Sequence, residues 1–518
     1  MIVVTAEQMR EMDRLTIQKY GVPSLKLMER AGEGIAKAIL ERFGRVATKG
    51  VVVVAGKGNN GGDGFVVARL LKKKRILCEV LMLSKRGEVS PDAAENLAAF
   101  IRVKGKVCEI GEGDLDLLAK RIDGKGLLVD AILGTGMKNE VRGLYADAIS
   151  VMNRSGIPIV AVDIPSGLHT DSGTPLGISV KAELTVALGY PKLGEVIYPG
   201  LDYVGDLVVA DIGIDPRAEE EVIPKTEVLT RDEIRQLVPV RHPDSHKGTY
   251  GHVLIIAGSR GKTGAAILAS RAAMRSGAGL TTLASACSLN NIFAGALVEV
   301  MTALLRENAA EEMEAPSDEE WRELLERKNA LLFGPGIGVT DATRSTLRWL
   351  LRNLAIPWVI DADGLNNLAL ELDRLRSAKT PPILTPHPGE MARLIGKDTA
   401  TVNRNRVDVA RSFAVERRCY LILKGARTVA ATPDGKVFIN PTGNPGMASG
   451  GMGDVLAGML AALLGQRLSP EDAMKLGVYL HGFVGDRVAA EKGQIGLIAS
   501  DIIEGLLSGF RALSTANP

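Results

Sequence analysis

The chain has 518 residues, of which 46% are hydrophobic and 24% charged, and its 63 lysines and arginines nearly balance its 61 acidic residues. This length is too great for one ordinary hydrophobic core, so we expect two or three domains in a soluble globular protein. The balanced charge and the lack of a basic stripe argue against a nucleic-acid partner. Apolar runs of around ten residues at most are too short to span a bilayer, so no membrane partner is expected.

The cysteines and the amino terminus indicate the cellular compartment. Cys78, Cys108, Cys287 and Cys419 are far apart and form no CxxC pair. This spacing favours a reducing environment and gives no sign of a structural zinc site. The segment MIVVTAEQMREMD carries charges too early for a signal peptide. We therefore expect a cytoplasmic protein.

Two helices and then a strand–loop–helix series form the first part of the chain. Thr5 and Gln8 predict a capping box before a helix that ends near Tyr20. Apolar residues three and four apart predict a second helix from Met28 to Phe43. The short β-branched segments that follow are nearly continuous in apolar residues, which predicts a parallel sheet covered by helices. These segments are VVVVA (51–55), ILCEVLML (76–83), GLLVDAIL (126–133), IPIVAVDI (157–164), ELTVAL (183–188) and DLVVADIG (206–213).

A charged, proline-bounded segment without periodicity, residues 215–225, is expected to link two domains. Thr230 and Glu233 then predict another capping box, and a second strand series begins. A hairpin is predicted over residues 429–439, and the polar stretch 306–327 is expected to be a surface helix. We predict two α/β domains, 1–215 and 226–518. The strands of the second are HVLIIAG (252–258), GLTTLAS (279–285), NALLFGPG (329–336), PWVIDADG (357–364), PPILTP (381–386) and CYLILKG (419–425).

The first glycine-rich motif, GKGNNGGDG (56–64), lies between a predicted strand and a helix. Its glycines satisfy a GxGxxG spacing, and Glu79 follows about twenty residues later, as in a dinucleotide fingerprint. Asn59, Asn60 and Asp63, however, place amides and a carboxylate in a loop where a pyrophosphate would need clearance. Ordinary NAD binding by this motif therefore stays an open alternative.

Other polar groups follow the carboxyl ends of strands in the same domain, where open α/β sheets bind ligands. They are Asp130 with residues 134–136, Asp163 with Ser166, and Lys192. Asn60, Asp130 and Ser166 offer only oxygen donors, which suit a hard cation rather than zinc or copper. Helix caps and a solvated lysine are the alternative interpretation, but several converging strand ends favour a pocket.

The most glycine-rich stretch of the second domain is GNPGMASGGMGD (443–454), which precedes an apolar helical run. A glycine turn that opens a helix directs backbone N–H groups and the positive helix end at one point, where an anion binds. A carboxylate at that point, Asp454, predicts phosphoryl transfer with a built-in base. A tight turn with a capping aspartate is the alternative.

Neighbouring strand ends supply the rest of a predicted pocket. His387, Asp363, Lys424 and Asp454 are expected to share it, with Lys424 contacting phosphate as a point charge. The GKT sequence at 261–263 does not complete a P-loop, because the required glycine is Ile256. No Ser/His/Asp grouping for acyl transfer is evident.

Taken together, these motifs closely resemble the bifunctional NAD(P)H-hydrate repair enzymes, over nearly the whole chain. These enzymes join an NAD(P)H-hydrate epimerase domain, Rossmann-like with three layers, to an ADP- or ATP-dependent dehydratase domain of ribokinase-like fold. The resemblance rests on QMREMD, LMERAG, GNNGGDG, DAILGTG, DIPSG and VVADIGI in the first domain. In the second it rests on KGTYGHVLIIAGS, TGAAILA, GPGIG, DADGL, TPHPGEMARL, LKGART and NPGMASGGMGDVLAG.

The resemblance implies roles for individual residues. Asp454, Asp163 and Lys192 would be catalytic, and a potassium ion would lie near Asn60, Asp130 and Ser166. The hydrated dinucleotide would contact the first domain at Asn59, Asn60, Gly61, Gly62, Asp63, Gly134, Thr135, Gly136, Met137, Lys138, Asn139, Glu140 and Asp163. It would contact the second domain at Ala265, Gly336, Gly338, His387 and Asp454. The adenine nucleotide would contact Lys424, Gly425, Ala426, Arg427, Thr428, Asn444, Gly446, Met447, Ala448, Ser449, Gly450, Gly451 and Gly453.

The implied reaction repairs hydrated NADH and NADPH. The first domain would interconvert the two epimers, and the second would dehydrate the S form with ADP or ATP, giving AMP or ADP and phosphate. Magnesium would assist at the second site, and a homo-oligomer is expected. One alternative is a ribokinase-like kinase of a small vitamin precursor. Another makes the first domain a binding module without catalysis.

Overall fold

The structure is a computed structural model that describes residues 1–514. These residues form two compact units, one from Ile2 to Thr226 and one from Glu227 onward that includes Met1. Within the described residues, no helix is long and apolar enough to cross a membrane.

The first unit consists of a parallel sheet and the helices that cover it. Its strands are β1 (Val51–Ala55), β2 (Cys78–Met82), β3 (Lys106–Glu109), β4 (Leu127–Ala131), β5 (Ile159–Val162), β6 (Leu184–Leu188) and β7 (Asp206–Ala210). Its helices are α1 (Ala6–Arg14), α2 (Ser24–Ala47), α3 (Asn59–Lys73), α4 (Pro91–Arg102), α5 (Leu115–Ile122), α6 (Leu144–Arg154), α7 (Leu193–Val196), α8 (Leu201–Val204) and α9 (Pro216–Val222).

The strand order of this sheet is β3-β2-β1-β4-β5-β6-β7, which is the doubly wound Rossmann order with one strand added. Alternate residues of β1 enter opposite cores. Val51 and Val53 pack with α2 and α3 on one face, whereas Val52 and Val54 pack with α5 and α6 on the other. The predicted three-layer α/β architecture is thus confirmed.

The second unit is built on a longer sheet. Its strands are β8 (Thr226–Val228), β9 (His252–Ile256), β10 (Leu280–Ala286), β11 (Met301–Leu305), β12 (Ala330–Phe333), β13 (Trp358–Ile360), β14 (Ile383–Leu384), β15 (Tyr420–Leu423), β16 (Val429–Ala431) and β17 (Val437–Ile439). Its helices are α10 (Arg231–Gln236), α11 (Thr263–Arg275), α12 (Asn290–Ala296), α13 (Asp318–Leu325), α14 (Asp341–Asn353), α15 (Asp363–Ala369), α16 (Pro388–Ile395), α17 (Thr399–Arg404), α18 (Arg406–Arg417), α19 (Met452–Gly465), α20 (Pro470–Lys492) and α21 (Ala499–Ser514).

This sheet has the order β11-β10-β9-β12-β13-β14-β15-β16-β17-β8. Strands β9 to β15 pair in parallel with their neighbours, and β15, β16 and β17 pair antiparallel. The α/β class and the hairpin over residues 429–439 are therefore confirmed. Parallel strands β9, β12, β13, β14 and β15 bring their carboxyl ends to one edge, where the second candidate site lies.

Two local predictions differ from the structure. The expected linker contains α9, because Asp215 caps the Arg217 N–H and Pro216 occupies the first turn. Ala218 of this helix is fully buried against α1 residues. The stretch 306–327 is helical only from Asp318, after a Ser317–Glu320 capping box.

Candidate active sites

A cleft of about 570 Å³ opens at the carboxyl ends of β1, β4 and β5 in the first unit. Of the predicted hydrate-binding residues, the cleft is lined by Asn59, Asn60, Asp63, Gly134, Thr135, Gly136, Met137 and Asp163. Gly61 and Gly62 instead face backbone and the Met28 side chain. Lys138, Asn139 and Glu140 are exposed on the adjoining loop, where Glu140 pairs with Arg142 at 2.7 Å.

The glycines of GKGNNGGDG allow a close approach of backbone segments. A Cβ on Gly56 would lie 2.1 Å from the Ile132 carbonyl oxygen, and one on Gly61 would lie 2.1 Å from the Gly56 oxygen. Helix α3 begins directly at Asn59. The prediction that Asp63 lies in a loop is therefore wrong, because Gly58 is the N-cap and Asp63 is buried in the helix. In a dinucleotide fingerprint, Glu79 would contact the ribose of the ligand. In the structure, Glu79 forms an ion pair with Arg121 at 3.4 Å.

Asp163 and Lys192 form an ion pair at this cleft. Asp163 directly follows β5 with a left-handed φ of 67°, a conformation that is strained for a residue other than glycine. Its Oδ1 accepts hydrogen bonds from the Lys192 Nζ and from the Leu188 N–H, the latter at 3.0 Å. The Lys192 side chain is fully buried and also donates to the Leu188 carbonyl oxygen at 3.2 Å. Lys192 thus holds the Asp163 carboxylate in place as its buried counter-charge.

Three further carboxyl groups face this pair. Burial, reinforced by the Asp163 carboxylate, raises the pKa of Asp13 to about 7. Burial and the same carboxylate raise the pKa of Asp63 well above its ordinary value. Burial raises the pKa of Glu195 to about 8, although Lys192 opposes the shift. One buried lysine therefore faces four carboxyl groups, and burial favours the protonated form of three of them, Asp13, Asp63 and Glu195.

Two of the predicted cation ligands, Asp130 and Ser166, are joined by hydrogen bonds. Fully buried Asp130 accepts hydrogen bonds from the Ser166 Oγ at 2.6 Å and from the Ser166 N–H at 2.7 Å. Burial raises its pKa to about 6. Asn60 lines the cleft, and its buried side-chain amide nitrogen, a donor that cannot ligate a cation, has no hydrogen-bond partner among the described residues. The side-chain oxygens of these three residues are of the kind that a hard monovalent cation prefers, and the potassium site stays a prediction.

In the second unit, Asp454 lies in the first turn of α19. The N-cap is Gly451, whose φ is 88°. Burial, together with the carboxylates of Asp361, Glu390 and Asp363, raises the pKa of Asp454 to about 7, and Lys424 opposes the shift. A partly buried carboxylate at a helix amino terminus is therefore balanced between its two protonation states at neutral pH, as a general base requires.

Lys424 extends from the end of β15 toward the same turn. Its Nζ lies 2.9 Å from the Asp361 Oδ1 and 3.9 Å from the Glu390 Oε2. Burial lowers the pKa of Lys424, but these carboxylates outweigh it and raise the pKa overall. A Cβ on Gly453 would lie 3.0 Å from this Nζ. The ammonium group thus lies beside the glycine turn, but it is held by two carboxylates and is not a free point charge.

The loop after β12 meets the start of α11. A Cβ on Gly336 would lie 3.2 Å from the Ala265 Cβ, so these two predicted hydrate contacts adjoin. Asp363 accepts hydrogen bonds from the Gly338 N–H at 3.0 Å and from the Lys262 Nζ at 2.9 Å. These bonds lower the pKa of Asp363 against the opposing effect of burial. Asp363 therefore ties two loops together.

His387 caps helix α16. Its Nδ1 accepts hydrogen bonds from the Gly389 N–H at 3.0 Å and from the Glu390 N–H at 3.4 Å. The His387 side chain is about half exposed, at 52%, and its Nε2 lies 3.6 Å from the Glu390 Oε1. The imidazole is thus fixed at the edge of the site with one nitrogen engaged.

The remaining residues that the sequence predicts to bind nucleotide form two loops. The Asp486 carboxylate holds the first, because it accepts hydrogen bonds from the Gly443 N–H at 2.9 Å and from the Asn444 Nδ2 at 3.0 Å. Ser449 Oγ donates to the Leu497 carbonyl oxygen at 3.1 Å. In the second loop, Gly425 has a φ of 139°. The first loop comprises residues 443–451 and includes Gly446, Met447, Ala448 and Gly450. The second loop comprises residues 424–428 and includes Ala426, Arg427 and Thr428.

The sequence analysis missed several groups at these sites, namely Asp13, Asp361, Glu390 and His481. Asp361 and Glu390 were present in the motifs DADGL and TPHPGE, and their position after a strand was the available signal. His481 lies on α20, and burial lowers its pKa to about 4. Its Nε2 has no hydrogen-bond partner within residues 1–514.

Comparisons with known proteins match both units. A family model described as YjeF-related protein N-terminus matches residues 24–194, and one described as NAD(P)H-hydrate dehydratase matches residues 253–507. A bifunctional NAD(P)H-hydrate repair enzyme of Moorella thermoacetica is 42% identical over 506 residues, which are 97% of this chain and 96% of that protein. The enzyme of the same description from Thermofilum pendens is 37% identical over 513 residues, 99% and 97% of the two chains.

Two solved structures are similar to a little more than half of the chain. An ADP/ATP-dependent NAD(P)H-hydrate dehydratase from Bacillus subtilis, co-crystallised with ATP/Mg²⁺, is 30% identical with a TM-score of 0.47 and covers 55% of this chain and 97% of its own. A ribokinase-like superfamily protein from Enterococcus faecalis is 26% identical with a TM-score of 0.49 and covers 56% and 97%.

The fold and sites define a class of protein, a two-unit α/β enzyme. One unit has a cleft with a carboxylate–lysine pair, and the other has a glycine-rich helix start with a partly buried carboxyl group. The identity over nearly the full length of the two curated relatives then shows the family. The chain belongs to the bifunctional NAD(P)H-hydrate repair enzymes, as the motifs predicted.

Proposed function

We propose that this chain repairs hydrated NADH and NADPH, with an epimerase in residues 1–215 and a dehydratase in residues 226–518. The observation that carries the proposal is Asp454, a carboxyl group whose pKa is raised to about 7 at the start of α19. A base at an anion-binding turn suits the activation of a hydroxyl group toward a phosphate.

In the dehydratase reaction, hydroxide is a poor leaving group, so the hydroxyl of the S hydrate is phosphorylated first. Asp454 accepts the hydroxyl proton as the oxygen attacks the terminal phosphorus of ADP or ATP. The N–H groups of Gly451 and Gly453 and the ammonium of Lys424 hold the transferring phosphoryl group. Phosphate then leaves as the ring nitrogen contributes its lone pair, and loss of a proton from the adjacent carbon restores NADH or NADPH. AMP or ADP is the second product.

A magnesium ion, when bound, neutralises charge on the nucleotide phosphates. Among the described residues, no group of three or more His, Cys, Asp or Glu side chains could hold a metal ion. Magnesium binds mainly through substrate phosphates and one or two carboxylates. Asp361 and Glu390 are paired with Lys424 and Asp454 accepts the hydroxyl proton, so a magnesium ion would be held chiefly by the nucleotide phosphates.

In the epimerase reaction, Asp163 exchanges a proton with the hydroxyl group at the epimerising carbon. Lys192 donates a hydrogen bond to Asp163 and orients it, so Lys192 is a positioning residue. Residues Asn59, Asn60, Asp63 and 134–137 are proposed to contact the hydrated ring and its ribose phosphates. A potassium ion, if bound by oxygens of Asn60, Asp130 and Ser166, would supply positive charge that favours the binding of an anionic ligand. A cytoplasmic location and a homo-oligomeric assembly stay predictions.

One assay tests both activities. An equal mixture of the two NADH hydrate epimers is incubated with the protein, magnesium, potassium and either ADP or ATP, and the near-ultraviolet absorbance of the dihydronicotinamide is followed. Full recovery of NADH is expected. Recovery of half the hydrate would contradict epimerisation and favour a binding role for the first unit. No recovery would contradict the proposal and favour the vitamin-precursor kinase.

A further inference from the structure

Asp13 is the last residue of the QMREMD motif and has no part in the reaction described so far. It lies on α1, and its side chain lines the same cleft as Asp163. Asp163 enters this cleft from the end of β5, whereas Asp13 enters from the helices that cover the sheet. Asp13 and Asp163 are therefore two of four aspartates that line the cleft, with Asp63 on α3 and Asp92 on α4, and each comes from a different structural element.

The two carboxyl groups have different surroundings. Asp163 has a buried ammonium and a backbone N–H as partners. Asp13 forms no hydrogen bond or ion pair with any described residue, although it lies close enough to Asp163 and Lys192 for their charges to change its pKa. A buried counter-charge favours the ionised form of a carboxyl group, whereas burial without one favours the protonated form. Two carboxyl groups in one site whose environments separate their protonation states are the usual arrangement for a base and an acid.

We propose that Asp13 is the general acid that acts with Asp163 in epimerisation, which rests on the proposed function of the first unit. Asp163 removes the proton of the hydroxyl group while the bond between its carbon and the ring nitrogen breaks. The electron pair of that bond goes to the nitrogen, and the Asp13 proton is transferred to it. The carbon becomes an aldehyde, rotates, and is attacked by the nitrogen on its other face. Asp13 recovers its proton from the nitrogen, and Asp163 returns its proton to the new hydroxyl.

The protonation of Asp13 depends on the charges around it. Asp63 on α3, Asp163 after β5 and Glu195 on α7 are acidic, and Lys192 is the basic group beside them. Burial and the Asp163 carboxylate raise the pKa of Asp13 to about 7. The account therefore predicts that kcat/KM of epimerisation decreases as the pH rises above about 7, because Asp13 loses the proton that it must donate.

The test compares Asp13→Asn with the wild type and with Glu11→Gln. Glu11 is a matched control, because it is a carboxylate on the same helix with its side chain 44% exposed in an ion pair with Arg14. The purified R epimer reports epimerisation by coupling to an excess of the Asp163→Ala chain, which is expected to dehydrate the S epimer without epimerising the R epimer. The S epimer reports dehydration by the variant chain itself. For Asp13→Asn we expect kcat of epimerisation to fall by about 100-fold or more, KM to change little, and the decrease above pH 7 to disappear. Dehydration of the S epimer is expected to stay unchanged.

Each result decides between the alternatives. Epimerisation by Asp13→Asn at the wild-type rate and with the wild-type pH profile would overturn the role of Asp13 and leave the proposed epimerase intact. A rise in KM alone, with the pH profile retained, would also overturn it, because it indicates a binding role. If Asp13→Asn fails to fold, Asp13→Glu is used and must retain the decrease above pH 7. Failure of the wild type itself to epimerise would contradict the proposed function instead.

Discussion

The space beside Gly453 is a sharp test of the phosphate-binding turn. In Gly453→Ala, the new Cβ would lie 3.0 Å from the Lys424 Nζ, closer than an ordinary van der Waals contact. Lys424 cannot move away freely, because its ammonium is buried and paired with Asp361 at 2.9 Å. The methyl group must therefore displace this ammonium or occupy part of the space where a phosphoryl group would bind.

The two consequences differ in size. Alanine in place of glycine within a helix stabilises it by about 0.5–1 kcal/mol, and this gain opposes the cost of moving the Lys424 ammonium by a few tenths of an ångström. We therefore expect the free energy of unfolding to stay within about 1 kcal/mol of the wild type. A small misplacement of a group that positions the reacting phosphate lowers the rate by about 10- to 100-fold, or about 1.4–2.7 kcal/mol of activation free energy.

The measurement is kcat for dehydration of the S epimer together with the thermal midpoint of the same preparation. Gly295→Ala is the matched control, because Gly295 lies in helix α12 and a Cβ there meets nothing within 4 Å. The control is expected to keep wild-type activity and gain stability. If Gly453→Ala keeps the wild-type kcat, the claim that phosphate binding depends on the close approach of Lys424 to the turn is refuted.

Three further predictions concern the charges at the two sites. Asp361→Asn removes the carboxylate that, of the neighbouring charges, raises the pKa of Asp454 most. The acidic limb of the pH profile of the dehydratase kcat should therefore move to lower pH. A limb at the wild-type pH would contradict the assignment of this limb to Asp454. Asp163→Ala should abolish epimerisation and leave dehydration intact. It should also lower the free energy of unfolding by about 3–5 kcal/mol, because the buried Lys192 ammonium is left unpaired. Normal epimerisation by this variant would rule out the proposed role of Asp163. Asp454→Asn should be more stable than the wild type above pH 7 and should lose this advantage as the pH falls toward 4. The reason is that the carboxyl group has a pKa of about 7 in the native protein and about 3.8 in the unfolded chain. Equal stability of the two proteins in urea unfolding at pH 8 would contradict the raised pKa.

Much of the fold was predictable because its central strands are buried on both faces. Such strands are continuous in apolar residues, as in β1 with VVVVA, and the pattern can be read without knowledge of the tertiary structure. Strand β3, KVCE, was missed because it lies at the edge of its sheet, where half-exposed polar residues are tolerated. Strand β11 lies at the edge of the other sheet and was missed as well.

The sites were predictable where a motif lies in one segment. The glycine turn and Asp454 are contiguous, and the structure places them at the start of α19 as predicted. The partner of Lys424 was not predictable, because Asp361 is 63 residues away in the chain. Asp361 and Lys424 follow β13 and β15, which meet only through the β13-β14-β15 order of the sheet. Asp13 was missed for a similar reason, since α1 alone does not reveal that it faces the end of β5.

The most direct test of the central claim is a single-turnover reaction of the S hydrate with Asp454→Asn at pH 7.5 in the presence of saturating ADP or ATP and magnesium. Nucleotide binding is measured on the same sample. The account predicts wild-type nucleotide affinity and a loss of at least about 100-fold in the rate at which NADH absorbance appears, because the hydroxyl has lost its base. Formation of NADH at close to the wild-type rate would contradict the claim that Asp454 activates the hydroxyl group.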